Sequence, residues 1–135
     1  MKKSMTLIVP CYNEEDSLPI FYEAVCDVAR TLEYCDVTLL LINDGSRDRT
    51  LSIMRELAAK DSRVHYISFS RNFGKEAAMY AGFCNAKGDY VAVMDADMQD
   101  PPSLLPQMLE MLDDLDDVQD VYHNGELPED EDEDE

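Results

Sequence analysis

Three carboxylates stand within six positions, directly after an apolar stretch of the chain. The segment VMDADMQDPP at residues 93–102 carries Asp95, Asp97 and Asp100. Like charges this close oppose each other's ionisation unless a cation lies between them. Mg²⁺ and Mn²⁺ take oxygen ligands and complete their coordination shells with water and substrate phosphates. The spacing therefore predicts a site for Mg²⁺ or Mn²⁺ with a phosphate-bearing substrate, although a DxD pair taken alone also suits a solvated turn.

Three other polar segments interrupt the chain in the same way. They are CYNEE at residues 11–15, NDGSRD at 43–48 and SRNFGKE at 70–76. Each follows a predicted strand and precedes a predicted helix. In a parallel sheet those positions share the carboxyl edge, where open α/β sheets bind ligands. We therefore expect all four segments to meet at one site, where Arg71 and Lys75 offset phosphate charge and Tyr12 offers a flat face.

Hydrophobic periodicity predicts the elements that position these segments. Strands are predicted at residues 5–9, 36–42, 64–69 and 90–94. Helices are predicted at 17–33, from Asp48 or Thr50 to 60, at 76–85, and after Pro101 and Pro102. The last helix has a buried stripe of Leu104, Leu105, Met108, Leu109 and Leu112. Strands that alternate with helices predict an α/β fold with a mostly parallel sheet and helices on both faces.

Charge is unevenly distributed along the chain. The net charge is −19, but 14 of the 30 acidic residues and none of the 11 basic ones lie in residues 110–135, so residues 1–109 carry −5. This balance disfavours nucleic-acid binding. We predict a domain at residues 1–112 and a largely disordered acidic tail at 113–135.

Cysteine spacing and hydropathy narrow the class of protein. The four cysteines form no CxxC pair and have no histidine nearby, which argues against a zinc site or a disulfide framework. No apolar run approaches the ~18 residues of a membrane span. The start of the chain lacks the pattern of a secretory signal. A cytoplasmic protein is therefore predicted.

The polar segments, in this order and spacing, resemble the signature of a known enzyme family. P-x-YNE, NDGS-x-D-x-T, RNFGKE and D-A-D-x-QDPP are similar to the motifs of family 2 glycosyltransferases with the GT-A fold. The resemblance covers residues 5–112. RNFGKE and QDPP resemble the branch of dolichol-phosphate mannose synthase and bacterial polyprenyl-phosphate glycosyltransferases. The resemblance implies a GT-A fold, a Rossmann-like three-layer sandwich, of which this sequence covers the part up to the fourth strand and its helix.

The resemblance also implies an activity. Family members transfer a sugar with inversion from a nucleotide diphosphate, here UDP- or GDP-linked, with a divalent metal. In this branch the acceptor is a polyprenyl phosphate, in cell-wall or glycolipid biosynthesis at the cytoplasmic face of the membrane.

Roles for single residues follow from the same resemblance. The residues implied to line the nucleobase pocket are Pro10, Tyr12, Asn13 and Glu14, with Asp44 hydrogen-bonding the base. The residues implied to border the donor are Arg71, Gly74 and Lys75, and those implied to shape the sugar and acceptor side are Gln99 and Asp100. Asp95 is implied to contact the ribose or the metal and Asp97 to ligate the metal, and these two are the catalytic candidates.

Alternatives stay open at this level. Family members continue past the DxD segment into an acceptor half, so a nucleotide-sugar-binding fragment without turnover is one alternative. An interaction protein that acts through its acidic tail is another. We also expect the fourth strand to lie at an exposed sheet edge, where it pairs with a second copy or with a partner.

Overall fold

The computed structural model describes residues 2–99 and 101–117 of the chain. Within these ranges four strands alternate with four α-helices. Their bounds are β1 Lys3–Cys11, α1 Ser17–Thr31, β2 Cys35–Asn43, α2 Thr50–Lys60, β3 Val64–Ser68, α3 Lys75–Asn85, β4 Tyr90–Val93, a 3₁₀ turn at Pro102–Leu104, and α4 Leu105–Asp117. The predicted order and the α/β fold class are confirmed.

The four strands form one parallel sheet in the order β3-β2-β1-β4. β1 pairs with β2 along its whole length, from Lys3 opposite Cys35 to Cys11 opposite Asn43. Both strands are therefore longer than their apolar runs predict. The strand order reverses between β1 and β4, and β4 pairs only with β1 among the described residues. The expected position of β4 at an edge is confirmed, while association through that edge stays a prediction.

Helices α1 and α2 cover one face of the sheet. The crossovers from β1 to β2 and from β2 to β3 step in the same direction, so right-handed connections put both helices on one side. Side chains of α1, among them Tyr22 and Val25, lie beside Val37 and Leu39 of β2, and α1 packs on α2. Each large apolar side chain buried in this layer contributes roughly 1.5–3 kcal/mol to folding.

Helix α3 covers the opposite face. β3 and β4 lie at opposite edges, so the connection between them crosses β2 and β1, and α3 packs on both strands. Ala78 of α3 packs against Ile8, Leu40 and Ile42. Gly82, one helical turn later, lies so close to β1 that a Cβ atom there would overlap Cγ2 of Ile8. The glycine therefore sets the distance between the helix and the sheet.

A second unit begins at Leu104. Its described part is α4, which runs to Asp117, beyond the predicted boundary at residue 112. In the predicted stripe, Leu105 and Leu109 are buried and the other positions are half-buried. The predicted disordered end from residue 118 onwards lies outside the described residues, as does Asp100. No helix in the described ranges is both long enough and apolar enough to cross a membrane.

Replacing Gly82 with alanine tests the contact between α3 and β1. Helix propensity favours alanine by about 1 kcal/mol, but overpacking against a buried side chain costs about 1–3 kcal/mol. We therefore expect Gly82→Ala to lower the free energy of unfolding by a net amount of up to about 2 kcal/mol in urea titrations.

The control for this prediction is the same substitution in an Ile8→Ala background. The overlapping methyl group is then absent, so Gly82→Ala should raise stability through helix propensity alone. An equal gain in stability from Gly82→Ala in the wild-type and the Ile8→Ala backgrounds would contradict the assigned contact.

Candidate functional site

A cavity of about 300 Å³ opens at the carboxyl edge of the sheet, between the ends of β1 and β4. Its lining residues are Pro10, Cys11, Tyr12, Glu14, Asp44, Lys75, Asp95, Asp97 and Gln99. Every one of the four predicted polar segments contributes at least one of them. The cavity lies where the strand order reverses, which is where open α/β sheets bind ligands. The structure thus brings the four segments to one site, as the sequence predicts.

A larger hollow of about 400 Å³ lies near the opposite ends of the strands. It is lined by Ser4, Met5, Thr6, Thr38, Leu40, His65, Asn85, Lys87 and Gly88. This lining contains no carboxylate and does not draw on the four polar segments. We therefore assign the candidate site to the smaller cavity, where the charged side chains converge.

The smaller cavity carries an excess of negative charge. Four carboxylates line it, those of Glu14, Asp44, Asp95 and Asp97, against one ammonium group, that of Lys75. The Nζ atom of Lys75 lies 3.0 Å from each carboxylate oxygen of Asp95. Both side chains are partly exposed, so solvent weakens this ion pair. Since one ammonium cannot balance four carboxylates, a diphosphate would require an additional cation to bind here.

The DxD segment brings two carboxylates to the same cavity. Met94 donates its N–H to the carbonyl of Ile8 (3.0 Å), which aligns the start of the segment with β1. Asp97 is exposed, and its Oδ1 accepts the N–H of Gln99 at 3.1 Å in a turn with Met98 at φ 68°. Among the described residues, no three His, Cys, Asp or Glu side chains are grouped to hold a metal ion. A divalent ion would therefore need oxygen ligands from a substrate and water.

Asp44 is buried, with 4% exposure. Its carboxylate accepts the N–H of Phe73 (2.7 Å), the N–H of Gly74 (3.0 Å) and the side-chain amide of Asn72 (3.1 Å). Its backbone N–H donates to the carbonyl of Cys11 at 2.9 Å. Asp44 therefore joins the ends of β1 and β2 to the loop before α3. Its predicted hydrogen bond to a nucleobase stays a prediction.

Gly45 allows the loop after β2 to touch the loop after β3. It has φ 70°, and a Cβ atom there would overlap the backbone of Arg71 and Asn72. A side chain at this position would therefore meet both conformational strain and a steric clash. The NDGS segment is thus a packing surface as well as a turn, which its turn-like sequence does not reveal. Gly74, with φ 105°, begins the turn into α3, as predicted for a tight turn.

The loop after β1 is fixed by hydrogen bonds to the loop after β2. Asn13, at φ 54°, accepts the N–H of Arg47 (2.8 Å) and donates its own N–H to Ser46 (2.9 Å). The N–H of Glu14 donates to the hydroxyl of Thr50 at 2.8 Å. Asn13 does not line the cavity, so its observed contribution is to loop structure.

Asp48 and Thr50 complete this connection between the loops. Asp48 accepts the N–H groups of Glu15 (3.2 Å) and Thr50 (2.9 Å), and the latter begins α2. Burial raises the pKa of Asp48, but hydrogen bonds from the Thr50 hydroxyl and from backbone N–H groups, including those of Thr50 and Glu15, outweigh burial and leave the pKa below its usual value. Sequence reasoning predicted these residues as helix caps and missed their contact with the loop after β1. The sequence does offer one indication of this contact, because short polar side chains such as those of Asp48 and Thr50 often hydrogen-bond nearby backbone groups.

Arg71 lies outside the cavity lining. Its guanidinium stacks 4.2 Å from the centroid of the Phe73 ring and is exposed. The structure therefore does not place it with Lys75 at the cavity, and its predicted part in donor binding stays a prediction.

Cys11 is a cavity residue that sequence reasoning did not single out. Its thiol is 2% exposed and donates to the carbonyl of Val9 at 3.4 Å. Burial raises the pKa of the thiol far above its usual value, and the charges of Glu14 and Asp95 raise it further. Because the thiolate is the nucleophilic form, Cys11 is not a nucleophile at neutral pH.

Alkylation of the native chain tests the state of Cys11. With iodoacetamide at pH 8, we expect the exposed Cys84 to react and Cys11 to react more than roughly tenfold more slowly, because Cys11 is buried and protonated. Peptide mass mapping measures both rates in one sample. Both cysteines should react alike after unfolding in guanidinium, and equal rates in the native chain would contradict the buried, neutral thiol.

Comparison with known proteins gives a family for this chain. The sequence model for "Glycosyl transferase family 2" matches residues 6–133. The Escherichia coli prophage bactoprenol glucosyl transferase homolog is 44% identical over 106 residues, which are 78% of this chain and 34% of that protein. The Pseudomonas fluorescens undecaprenyl-phosphate 4-deoxy-4-formamido-L-arabinose transferase is 36% identical over 107 residues, 78% of this chain and 31% of that protein. The chain thus spans about a third of the length of these relatives.

Solved structures agree with the fold. A mannosyltransferase from Pyrobaculum calidifontis, in complex with GDP-Man and Mn²⁺, has a TM-score of 0.57 and 25% identity, covering 72% of this chain and 28% of that one. The S. aureus protein TarS (residues 1–349), in complex with UDP, has a TM-score of 0.64 and 22% identity, covering 84% of this chain and 32% of that one. The α/β sandwich expected from the resemblance is confirmed as the GT-A-like fold of glycosyltransferases.

Proposed function

Because the chain belongs to glycosyl transferase family 2, we propose that its carboxyl-edge cavity binds the nucleotide diphosphate of a sugar donor together with Mg²⁺ or Mn²⁺. One observation carries this proposal. The cavity at the strand-order reversal is lined by four carboxylates and one ammonium group. Such a wall repels a free diphosphate and attracts a diphosphate already paired with a divalent cation.

Asp95 and Asp97 would hold the metal ion. These two residues suit such an ion because both are carboxylates that line the same cavity, and hard divalent ions prefer oxygen ligands. When bound, the metal neutralises charge on the diphosphate leaving group. Lys75 contacts both oxygens of Asp95 and adds positive charge beside the metal position. Asp97 is exposed, and the observed hydrogen bond to its carboxylate comes from Gln99 in the same turn. The side chain can therefore rotate toward a bound ion.

The nucleotide would lie along the remaining lining residues. Tyr12 is 45% exposed at the cavity and presents an aromatic face on which a base can stack. Pro10 and Glu14 lie on the same side, at the end of β1, and Gln99 lies on the DxD side. We place the sugar beside Gln99. Asn13, Gly74 and Arg71 support the surrounding loops in this proposal.

A polyprenyl phosphate is the proposed acceptor. The names of two relatives contain bactoprenol and undecaprenyl phosphate. An oxygen of the lipid phosphate would attack the anomeric carbon and form the new C–O bond with inversion. The bond from that carbon to the diphosphate oxygen would break, and its electron pair would leave with the nucleoside diphosphate. A phosphate monoester is largely anionic at neutral pH, so this acceptor needs no general base. A lipid acceptor would bring the chain to the cytoplasmic face of a membrane.

Isothermal titration calorimetry with UDP and GDP, with and without Mn²⁺, tests the donor site. We expect one nucleotide to bind with Mn²⁺ present and to lose at least about tenfold in affinity without it. Asp97→Asn should cause a similar loss, since the amide keeps the shape and removes the charge that attracts the ion. The nucleotide that binds identifies the base of the donor.

A matched variant controls for general effects of charge. Glu33→Gln also removes one exposed carboxylate, but near the start of β2, at the opposite edge of the sheet, and should leave nucleotide affinity unchanged. If the folded chain binds neither UDP nor GDP with Mn²⁺, the proposed donor site is wrong.

A further inference from the structure

The aromatic side chain of Tyr12 has little support of its own. It lines the cavity and is 45% exposed, and within the part of the chain that the structure describes it forms no hydrogen bond and no ring contact. The position of the ring therefore depends on the backbone that carries it. On the amino side of Tyr12 this backbone is fixed, because the carbonyl of Cys11 accepts the N–H of Asp44 at 2.9 Å.

The backbone on the carboxyl side of Tyr12 is fixed by Asn13. The N–H of Asn13 donates to the hydroxyl of Ser46 at 2.9 Å, and its side-chain oxygen accepts the N–H of Arg47 at 2.8 Å. Ser46 is itself held in place, since its N–H donates to the side-chain oxygen of Asn43 at 3.0 Å. Asn43 is the last residue of β2 and is 2% exposed. Asn13 is thus bonded twice to a loop that is anchored at the buried end of a strand.

The conformation of Asn13 limits which residues can form both bonds. Its φ of 54° lies in the left-handed region, which asparagine, aspartate and glycine adopt more readily than most other residues. Of these three, only asparagine and aspartate carry an oxygen that can accept the N–H of Arg47. Position 13 therefore combines a special backbone conformation with a hydrogen-bond acceptor, although it lies outside the cavity lining.

We infer that Asn13 is a positioning residue, which through its bonds to Ser46 and Arg47 holds Tyr12 in place as a preformed wall for the base of the nucleotide. A wall that is ordered before the ligand arrives lowers the entropy cost of binding. The part of this inference that concerns the base rests on the proposed function. The effect of Asn13 on the order of Tyr12 does not, and it is measured without any nucleotide.

The first test measures the order of the Tyr12 backbone by ¹⁵N relaxation in the full chain. In the wild type we expect an order parameter of about 0.85 for the Tyr12 N–H, as in rigid backbone. Asn13→Gly keeps the left-handed conformation but removes the acceptor, and Ser46→Ala removes the other bond. Both variants should lower the order parameter to about 0.7 or below. Ser52→Ala is the matched control, since the exposed Ser52 hydroxyl donates to the carbonyl of Arg49, and it should change nothing.

The second test compares a ligand that has a base with one that lacks it. Calorimetry with Mn²⁺ gives dissociation constants for the nucleotide that the wild type binds and for inorganic pyrophosphate. Asn13→Gly should weaken nucleotide binding about tenfold, within the range of base–aromatic stacking, and change pyrophosphate binding by less than about twofold. Tyr12→Ala should show the same selectivity. The double variant should equal Tyr12→Ala alone, because both residues act on one contact.

The conservative replacement separates a positioning role from a general loss of stability. Asn13→Asp keeps the acceptor for Arg47 and tolerates the left-handed conformation, so it should retain the wild-type ratio of nucleotide to pyrophosphate affinity. The added negative charge would weaken the binding of both diphosphates, so its effect largely cancels in that ratio.

The outcomes separate this inference from the proposed function. An unchanged Tyr12 order parameter in folded Asn13→Gly overturns the positioning role, and so does an unchanged nucleotide affinity or an equal loss for nucleotide and pyrophosphate. If Asn13→Gly does not fold, Ser46→Ala decides by the same two measurements, since Ser46 also lies outside the cavity lining. If the wild type binds neither UDP nor GDP with Mn²⁺, the proposed function fails, and the order parameter alone decides whether Asn13 positions Tyr12.

Discussion

The arrangement of the sheet depends on β1 pairing with parallel strands on both sides. Its pairing with β2 and β4 places the end of β1 at the reversal of strand order, with the DxD segment on one side and the NDGS segment on the other. Right-handed connections then fix which helix covers which face. Because all strands run in the same direction, every polar segment after a strand reaches the same edge. The candidate site follows from this pairing.

Hydrogen bonds from side chains to backbone keep the loops at that edge in place. Asp44 binds the loop before α3, while Asn13 and Asp48 connect the loops after β1 and β2. Such bonds satisfy backbone groups that lie beyond the ends of the sheet. The part of the cavity wall that these loops form is therefore largely preformed.

The mutual repulsion of the cavity carboxylates is the chemical property on which the proposed function depends. A wall with one ammonium group and four carboxylates selects a ligand that brings its own cation. In the proposed function, a nucleotide diphosphate with Mg²⁺ or Mn²⁺ is this ligand. Burial keeps the thiol of Cys11 protonated, so the proposed function uses the carboxylates and Lys75 instead.

The sequence by itself determined the element order, the α/β class and the four segments that meet at one edge, because hydrophobic periodicity and polar interruptions are local properties. It also identified Asp95, Asp97 and Lys75 as cavity residues. It did not show that Asn13 and Arg71 lie outside the cavity lining, that Asp44 accepts hydrogen bonds from residues 72–74, or that Gly45 packs against the backbone of Arg71. Those facts depend on which loops meet and at what distance, and only the packed sheet fixes that distance.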